Sequence, residues 1–555
     1  MNNLSRVANV ESTAVAFERK PSTRTRFVTR GASAVARSAL FAVVLSAATG
    51  AQAASVLLGF EGISQYDVAA LGRNFLPPDT MGAVGQTQYV ETVNGGFAVY
   101  DKATGTQLSL TSDVAFWAGA GQTGANGDQR VMYNAAAGRW IMVSFGANTK
   151  DLQIAISDTD NALGSWKSVK FEGYGGLGFG AVADYPTLAL DGNAVYIGTN
   201  NFAPASSSGA NAFRGTTLNV IPLDSLFSAG APTVTSIQQF FTPFPGTAVD
   251  VDRGFALQGV NNSTPGSPGT VLASSLFNFD NLAFNVLGLT SSSATGATLS
   301  AASLLGMAAF TSPGDARQPS VAIAANRRIV NTLDERISSS VYAANGRIYM
   351  VNTVNSGLDA LDESRIRYTV IDAATFAILD QGDIGAAGHD YYQGSIAVNS
   401  AGNLVIGYNR SGLDSATGRI SFMAQAFSTA LDGSLVSTSS EFLLKTSLTD
   451  DYHNGSIFGQ PAAGFQRWGD YSQVSIDPIN SNIFYAIGQF AREYNLPQFG
   501  HPGGTGGSRW GTWIAALDVS GTFVGVPEPA SLLLMVFGLG GIGFAQRRRC
   551  RPGTA

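Results

Sequence analysis

The sequence has almost no sulfur chemistry and little imidazole. Of its 555 residues one is a cysteine, Cys550, in a basic stretch near the C-terminus. Structural disulfides and cysteine-ligated zinc or iron–sulfur sites are therefore excluded from the body of the chain. The three histidines, His389, His453 and His501, stand far apart with no H-x-x-x-H pair, so a histidine metal site needs tertiary assembly. Charged residues make up only 13%, against a usual share of about 25%. Helical periodicity is nearly absent from residues 55–525, and no Pro- or Ser-rich linker long enough to separate domains interrupts them. Catalytic signatures are missing as well. There is no G-x-S-x-G elbow, no H-E-x-x-H, no P-loop and no G-x-G-x-x-G unit following a strand.

What is present is apolar and rich in turns. Apolar residues reach 45%, and there are 65 glycines. Aromatic and β-branched residues are too plentiful for a disordered chain. Glycine with abundant Ser, Thr, Asn and Asp means tight turns joining short strands. The net charge of −6 hides two basic ends. Between them the chain carries 22 Lys/Arg against 36 Asp/Glu, a net of about −14. Such a body repels nucleic acid and anionic lipid, and suits cations, basic partners or neutral glycans.

Both ends read as addresses. Arg19, Lys20, Arg24, Arg26, Arg30 and Arg37 precede an apolar run over 39–48, which closes on Gly50-Ala51-Gln52-Ala53-Ala54. A basic region, a short apolar core and an A-x-A site make a secretory signal over 1–53. Cleavage by signal peptidase is expected after Ala53, with Ala51 and Ala53 as the small residues read, and implies Sec-type export. The basic region is long enough that translation can begin later than Met1. At the other end, Val526-Pro527-Glu528-Pro529 leads into an apolar stretch over about 530–546, and then Arg547, Arg548 and Arg549. The prolines enforce an extended break before a helix. The apolar stretch is marginal for a span, and its arginines would stay cytoplasmic. This ending, 526–551, resembles the PEP-CTERM sorting signal. The resemblance implies recognition and cleavage at Pro527-Glu528-Pro529 by an exosortase, transient anchoring in an inner membrane, and release or attachment at the cell surface. It also implies a Gram-negative host that makes extracellular polysaccharide. A plain C-terminal membrane anchor is the alternative.

Between the ends, short apolar strands recur with the same grammar. Residues 184–200, 391–408 and 470–487 each contain an entry segment, a strand, an Asn/Asp/Gly turn and a second strand. Val131–Asn134, the turn at Gly138-Arg139 and Trp140–Val143 repeat it, and further strands such as 367–372 and 513–517 follow. Meanders of about four strands per unit predict an all-β fold over 54–525. The expected form is a single β-propeller of six or seven four-stranded blades, seven preferred; ring closure protects sheet edges. The alternative is two or three β-sandwich domains.

Residues 157–166 resemble a loosened Asp-box, the hairpin turn of sialidase-like propellers. That implies a structural turn whose aspartate accepts backbone N–H groups and whose Trp166 packs between sheets. Pro77–Gly85, Arg467–Ser472 and Arg509–Trp513 resemble segments of large secreted bacterial propellers of no assigned activity. Candidate ligand-facing residues are Asp128, Arg130, Asp184, Arg317, Arg410, Arg467, Asp470 and Tyr471, all near strand starts or turns. Each can equally fix a blade corner. The first functional expectation is a non-enzymatic surface or matrix protein that binds glycan or protein. The second is a glycoside hydrolase or lyase, which needs paired carboxylates and, for acidic sugars, arginine clamps. No catalytic residue and no cofactor is assigned. Loop-bound Ca²⁺ suits an acidic exported protein, but Asp158/Asp160 and Asp250/Asp252 lack EF-hand spacing.

Overall fold

The computed structural model describes residues 54–175, 182–203, 212–227, 230–234, 236–243, 254–264, 267–275, 283–289, 297–319, 328–355, 357, 363–453, 464–494 and 508–522. All belong to the second of the two units into which the chain divides, Gly50–Ala555. The signal, its cleavage residues Ala51 and Ala53, the sorting motif Pro527-Glu528-Pro529, and Arg547, Arg548 and Arg549 lie outside the described residues, as do His501, Asp250 and Asp252.

The described body is a β-propeller of antiparallel meanders. The first meander comprises Met81–Val84, Gln88–Val93, Gly96–Asp101 and Gln107–Ser112. The second comprises Arg130–Asn134, Arg139–Phe145, Asp151–Ser157 and Trp166–Glu172. The third starts at Val182–Asp184 and Ala189–Leu190 and runs through Ala194–Ala203 and Ala212–Pro222 to Gln238–Pro243. The fourth starts at Phe255–Asn261, the fifth at Val341–Ala344, the sixth at His389–Val398 and the seventh at Gln473–Ile476. The fourth and fifth share one eight-stranded sheet, joined by a short parallel pairing of their innermost strands, Val260↔Val341 and Asn261↔Tyr342. Counted as continuous sheets of four or more strands, the propeller is six-bladed; counted as meanders, it has seven units. Both numbers lie within the range expected from the repeats.

The strands form where the sequence alternates or stays apolar. Gln88–Val93 (QYVETV) is buried throughout, between neighbours on both faces. Asn345 and Gly346, both at positive φ (51° and 71°), make the two-residue turn between Val341–Ala344 and Arg347–Val354. A second device recurs. Asp101, Asp372 and Asp414 each accept, on Oδ1, the backbone N–H groups two and three residues on and the hydroxyl of Thr104, Thr375 and Thr417 respectively. These D-x-x-T turns are Asx-turns reinforced by a hydroxyl. Their hydrogen bonds hold all three carboxyls below the usual carboxylate range.

The Asp-box-like hairpin is structural, with one change. Trp166 packs edge-on against Phe97 and Phe116 of the first meander side, so it does sit between sheets. Asp158, however, pairs with Lys167 at 3.1 Å, while the turn is closed by the Ser157 hydroxyl on the Thr159 carbonyl and the Asp158 N–H on the Ser165 carbonyl. The altered spacing within the box has displaced the aspartate from its expected role.

The ring closes through the N-terminal strand. Ser55–Ser64 is the outermost strand of the seventh meander, antiparallel to Ser508–Asp518, with Ser55↔Asp518 and Ser64↔Gly511 at its ends. The last sheet is thus built from both halves of the chain. At this seam Glu91, on the first meander, is fully buried and accepts hydrogen bonds from the Ile63 N–H at 2.9 Å, the Tyr100 hydroxyl at 2.7 Å and the Thr512 hydroxyl at 2.5 Å. Gly62 lies directly over this carboxylate; a Cβ there would meet Glu91 and the Thr512 hydroxyl. Gly62→Ala is therefore expected to cost about 1–3 kcal/mol by overpacking, measured as a shift in the urea midpoint. No change in midpoint would mean that the seam is loose.

Candidate functional site

The innermost strands carry an unusual backbone where they enter the ring. Asp79, Asp128, Tyr185, Ala256 and Gln393 all adopt left-handed φ, between 48° and 55°. Each stands within or just beside the innermost strand of a different meander. None is glycine, and such residues cost roughly 1–3 kcal/mol each and gather at functional sites. Asn94 ties two of them together: its Nδ2 donates to Asp79 Oδ2 at 2.7 Å, and its Oδ1 accepts the Asp128 N–H at 2.7 Å. Gly127, with φ +91°, leaves room for Asn94, because a Cβ there would lie 2.7 Å from Asn94 Oδ1.

Six of the eight candidate residues read from the sequence converge here. Tyr471, from the segment entering the seventh meander, donates its hydroxyl to Asp128 Oδ2 at 2.9 Å. The Asp470 N–H donates to Asp79 Oδ1 at 2.7 Å, and Arg467 holds Asp470 at 2.6 Å. Tyr185, next to Asp184, donates to the Asp470 carbonyl at 3.3 Å and packs edge-on against Tyr471, with ring centroids 4.9 Å apart. Arg130 lies beneath, 3.6 Å from the Tyr471 ring centroid. It donates to the Pro186 carbonyl at 3.0 Å and the Ser338 carbonyl at 3.2 Å, and approaches the sulfur of Met81. Arg130 therefore touches the third meander, the segment entering the fifth, the first and the seventh. With Met81, Tyr185 and Tyr471 it fills the axis rather than facing solvent.

Above this plug the polar groups keep partial exposure. Asp128, Asp184, Asp334, Arg336, Arg467 and Asp470 are all half-buried. Arg336 grips Asp334 with two bonds of 2.6 Å and stacks 4.4 Å from the Tyr185 centroid. Burial, then the nearby charge of Asp470, pushes the Asp79 carboxyl up to about 7. Burial and the charges of Asp79, Asp184 and Asp470 drive Asp128 well above the usual carboxylate range. Asp184 is also raised, by burial and by Asp470. Burial and mutual repulsion thus raise the proton affinity of Asp79, Asp128 and Asp184 together.

Two sequence candidates lie elsewhere. Arg317 is bound to Asp390 at 2.8 Å and Glu363 at 3.1 Å. Arg410 is paired with Glu441 at 2.9 Å, with Tyr408 on the other carboxylate oxygen. Both guanidiniums are thus held in ion pairs outside the axial cluster. Sequence reasoning missed Asp79, Asn94, Tyr185, Asp334 and Arg336 as members of the axial cluster. One signal was available: Asp79, Asp128, Asp184 and Asp470 all occur within five residues of the start of an innermost strand.

Among the described residues no group of three or more His, Cys, Asp or Glu side chains is disposed to hold a metal ion. His453 lies 4.0 Å from Asp451, and His389 opens the sixth meander. Among the described residues no helix is long and apolar enough to cross a membrane.

Residues 525–549 match the PEP-CTERM protein-sorting motif. No curated protein matches the chain. Among solved structures, Kluyveromyces lactis Hsv2 is similar at 10% identity, covering 76% of this chain and 95% of its own, with a TM-score of 0.33. An α-L-arabinanase from Penicillium chrysogenum, solved with arabinobiose, is 13% identical over 67% of this chain and 98% of its own, with a TM-score of 0.33. An endo-arabinase from Bacteroides thetaiotaomicron is 12% identical over 53% and 92%, with a TM-score of 0.27. Likenesses at this level say nothing about activity. The sorting motif is that of exported, cell-surface proteins processed by an exosortase.

Proposed function

We propose that this exported propeller binds extracellular polysaccharide at its axial face and performs no chemistry on it. The observation that carries the reading is the half-buried ring of Asp128, Asp184, Asp334, Asp470, Arg336 and Arg467 over a tyrosine-lined floor. Sugar hydroxyls donate and accept at once, and a cluster that holds both carboxylates and guanidiniums answers both demands. A net negative body favours neutral glycans over acidic ones. Maturation, on this reading, removes 1–53 by signal peptidase, leaves 54–525 as the folded body, and uses 530–546 as a passing inner-membrane anchor. An exosortase then acts at Pro527-Glu528-Pro529 in a Gram-negative envelope. The test is co-sedimentation of the exported protein with a panel of neutral bacterial polysaccharides, in wild type and Asp184→Asn/Arg467→Gln. Wild type is expected to bind at least one polymer, and the double variant to lose about tenfold or more in affinity, the loss of one or two charge-assisted hydrogen bonds. Equal binding by both would remove the axial face from the reading.

A glycoside hydrolase or lyase is the second reading, and one observation favours it. Burial and neighbouring charge raise the proton affinity of Asp79, Asp128 and Asp184 within one cluster. A carboxyl with raised proton affinity is the raw material of a general acid in glycan cleavage. Release of new reducing or unsaturated ends by wild type, lost in Asp128→Asn, would decide for it.

A further inference from the structure

We infer that the two processing steps of this protein are ordered by its fold: the N-terminal cut must precede ring closure, while the C-terminal cut can follow it. The inference rests on the export reading above. The residue after the expected cut, Ala54, directly precedes the closing strand. Ala54 is buried, 6% exposed, and belongs to an apolar cluster with Ala397, Phe422, Leu517 and Val519. The next residue, Ser55, is already paired with Asp518, and the pairing runs on to Ser64↔Gly511. No residue lies between Ala54 and the first paired position of the sheet.

A leader peptidase needs several residues on both sides of the bond, extended and free of other partners. In the closed ring the residues on the C-terminal side are a paired strand. They are pinned further by Glu91, which accepts the Ile63 N–H, and by the Thr512 hydroxyl, 2.9 Å from the Ile63 carbonyl. Cleavage of a closed precursor would require this strand to open first, and the rate would scale with that open population.

The other end is built differently. The last paired strand stops at Asp518 and the short helical turn Ser520–Thr522 follows, so residues 519–526 separate the sheet from Pro527. Removing everything from Pro527 onward takes away no described strand. The closing sheet is therefore a checkpoint. It can form only after Ser508–Asp518 has crossed the membrane, and once formed it withholds the leader bond from the peptidase.

The test uses the full chain. The N-terminus of the exported protein is sequenced first; a start at or within two residues of Ala54 is expected. A start upstream of residue 45 or inside Ser55–Ser64 beyond residue 56 would overturn the export reading and this inference together. Full-length precursor, refolded without export, is then given to purified signal peptidase in detergent. Wild type is expected to be cut at least about tenfold more slowly than Leu58→Pro/Phe60→Pro, whose closing strand cannot dock. Pulse–chase with limited proteolysis gives an independent reading that needs no refolding. Leader loss should come before protease resistance of the body, and loss of the tail at or after it. Equal cleavage of wild type and proline variant, or a resistant body that still carries its leader, would overturn the ordering while leaving the export reading intact.

Discussion

Glu91→Ala is expected to destabilise the propeller by about 2–6 kcal/mol, because it orphans two donors in a buried seam at roughly 1–3 kcal/mol each. Those donors are the Ile63 N–H and the Tyr100 hydroxyl. Glu91→Gln should behave otherwise. The Thr512 hydroxyl also lies 2.9 Å from the Ile63 carbonyl. It can donate there and accept from a glutamine amide, so the seam survives. The same rotation lets a protonated Glu91 donate to Thr512. Burial pushes the carboxyl up to about 7, with the bonds from Thr512, Tyr100 and Ile63 pulling it only partly back. The consequence for pH has a definite sign. The unfolded chain releases the Glu91 proton near the ordinary glutamate value, the folded chain only near 7. Between those values the folded state binds more protons, so stability falls as pH rises and then levels off above about 7. The lost contribution is on the order of 3 kcal/mol. Asp79, also raised to about 7, adds a slope of the same sign. Urea denaturation at pH 5, 6, 7 and 8 checks this. Glu91→Gln should flatten part of the decline and match or exceed wild type at pH 8. A wild-type stability that rises from pH 5 to 8, or an unchanged slope in Glu91→Gln, would refute the protonated seam.

Arg130→Lys is expected to cost about 2–4 kcal/mol despite keeping the charge. Arg130 is 1% exposed, and its guanidinium uses separate nitrogens for the Pro186 and Ser338 carbonyls while lying flat on Tyr471. Those acceptors belong to different meanders. A lysine ammonium is a point donor on a flexible stem. It cannot reach both carbonyls while covering the ring, and it leaves an acceptor and an aromatic face unmatched. The measurement is the urea midpoint of Arg130→Lys against wild type, with near-ultraviolet circular dichroism reporting the tyrosine packing. A loss below about 1 kcal/mol would mean that Tyr185, Tyr471 and Met81 fill the axis unaided.

Much of the fold was written locally. Strands such as Val131–Asn134 and Trp140–Val143 announce themselves through apolar runs broken by glycine and asparagine, because a short turn and a pleat need only neighbours. The same locality explains why D-x-x-T turns form three times with one geometry. The Asp-box region shows the limit. Its Trp166 packs as its chemistry requires, yet a changed spacing sends Asp158 to Lys167. The axial cluster was half legible. Arg130, Asp184 and Tyr471 stood out near strand starts or turns, but so did Arg317 and Arg410, which are held in ion pairs elsewhere. A strand start fixes only where a residue begins, not which way the ring turns it.

By itself, the sequence determined that the body is a cysteine-free, acidic all-β repeat between two basic, apolar ends, since composition and period act over a few residues at a time. Only tertiary structure decided that Ser55–Ser64 completes the last sheet, that Glu91 sits sealed within that seam, and that Asp128 meets Tyr471 across 343 positions of chain. Ring closure is the physical reason. It brings together strand entries that no local rule relates, and it withdraws water from carboxylates whose protonation then depends on neighbours far away in sequence.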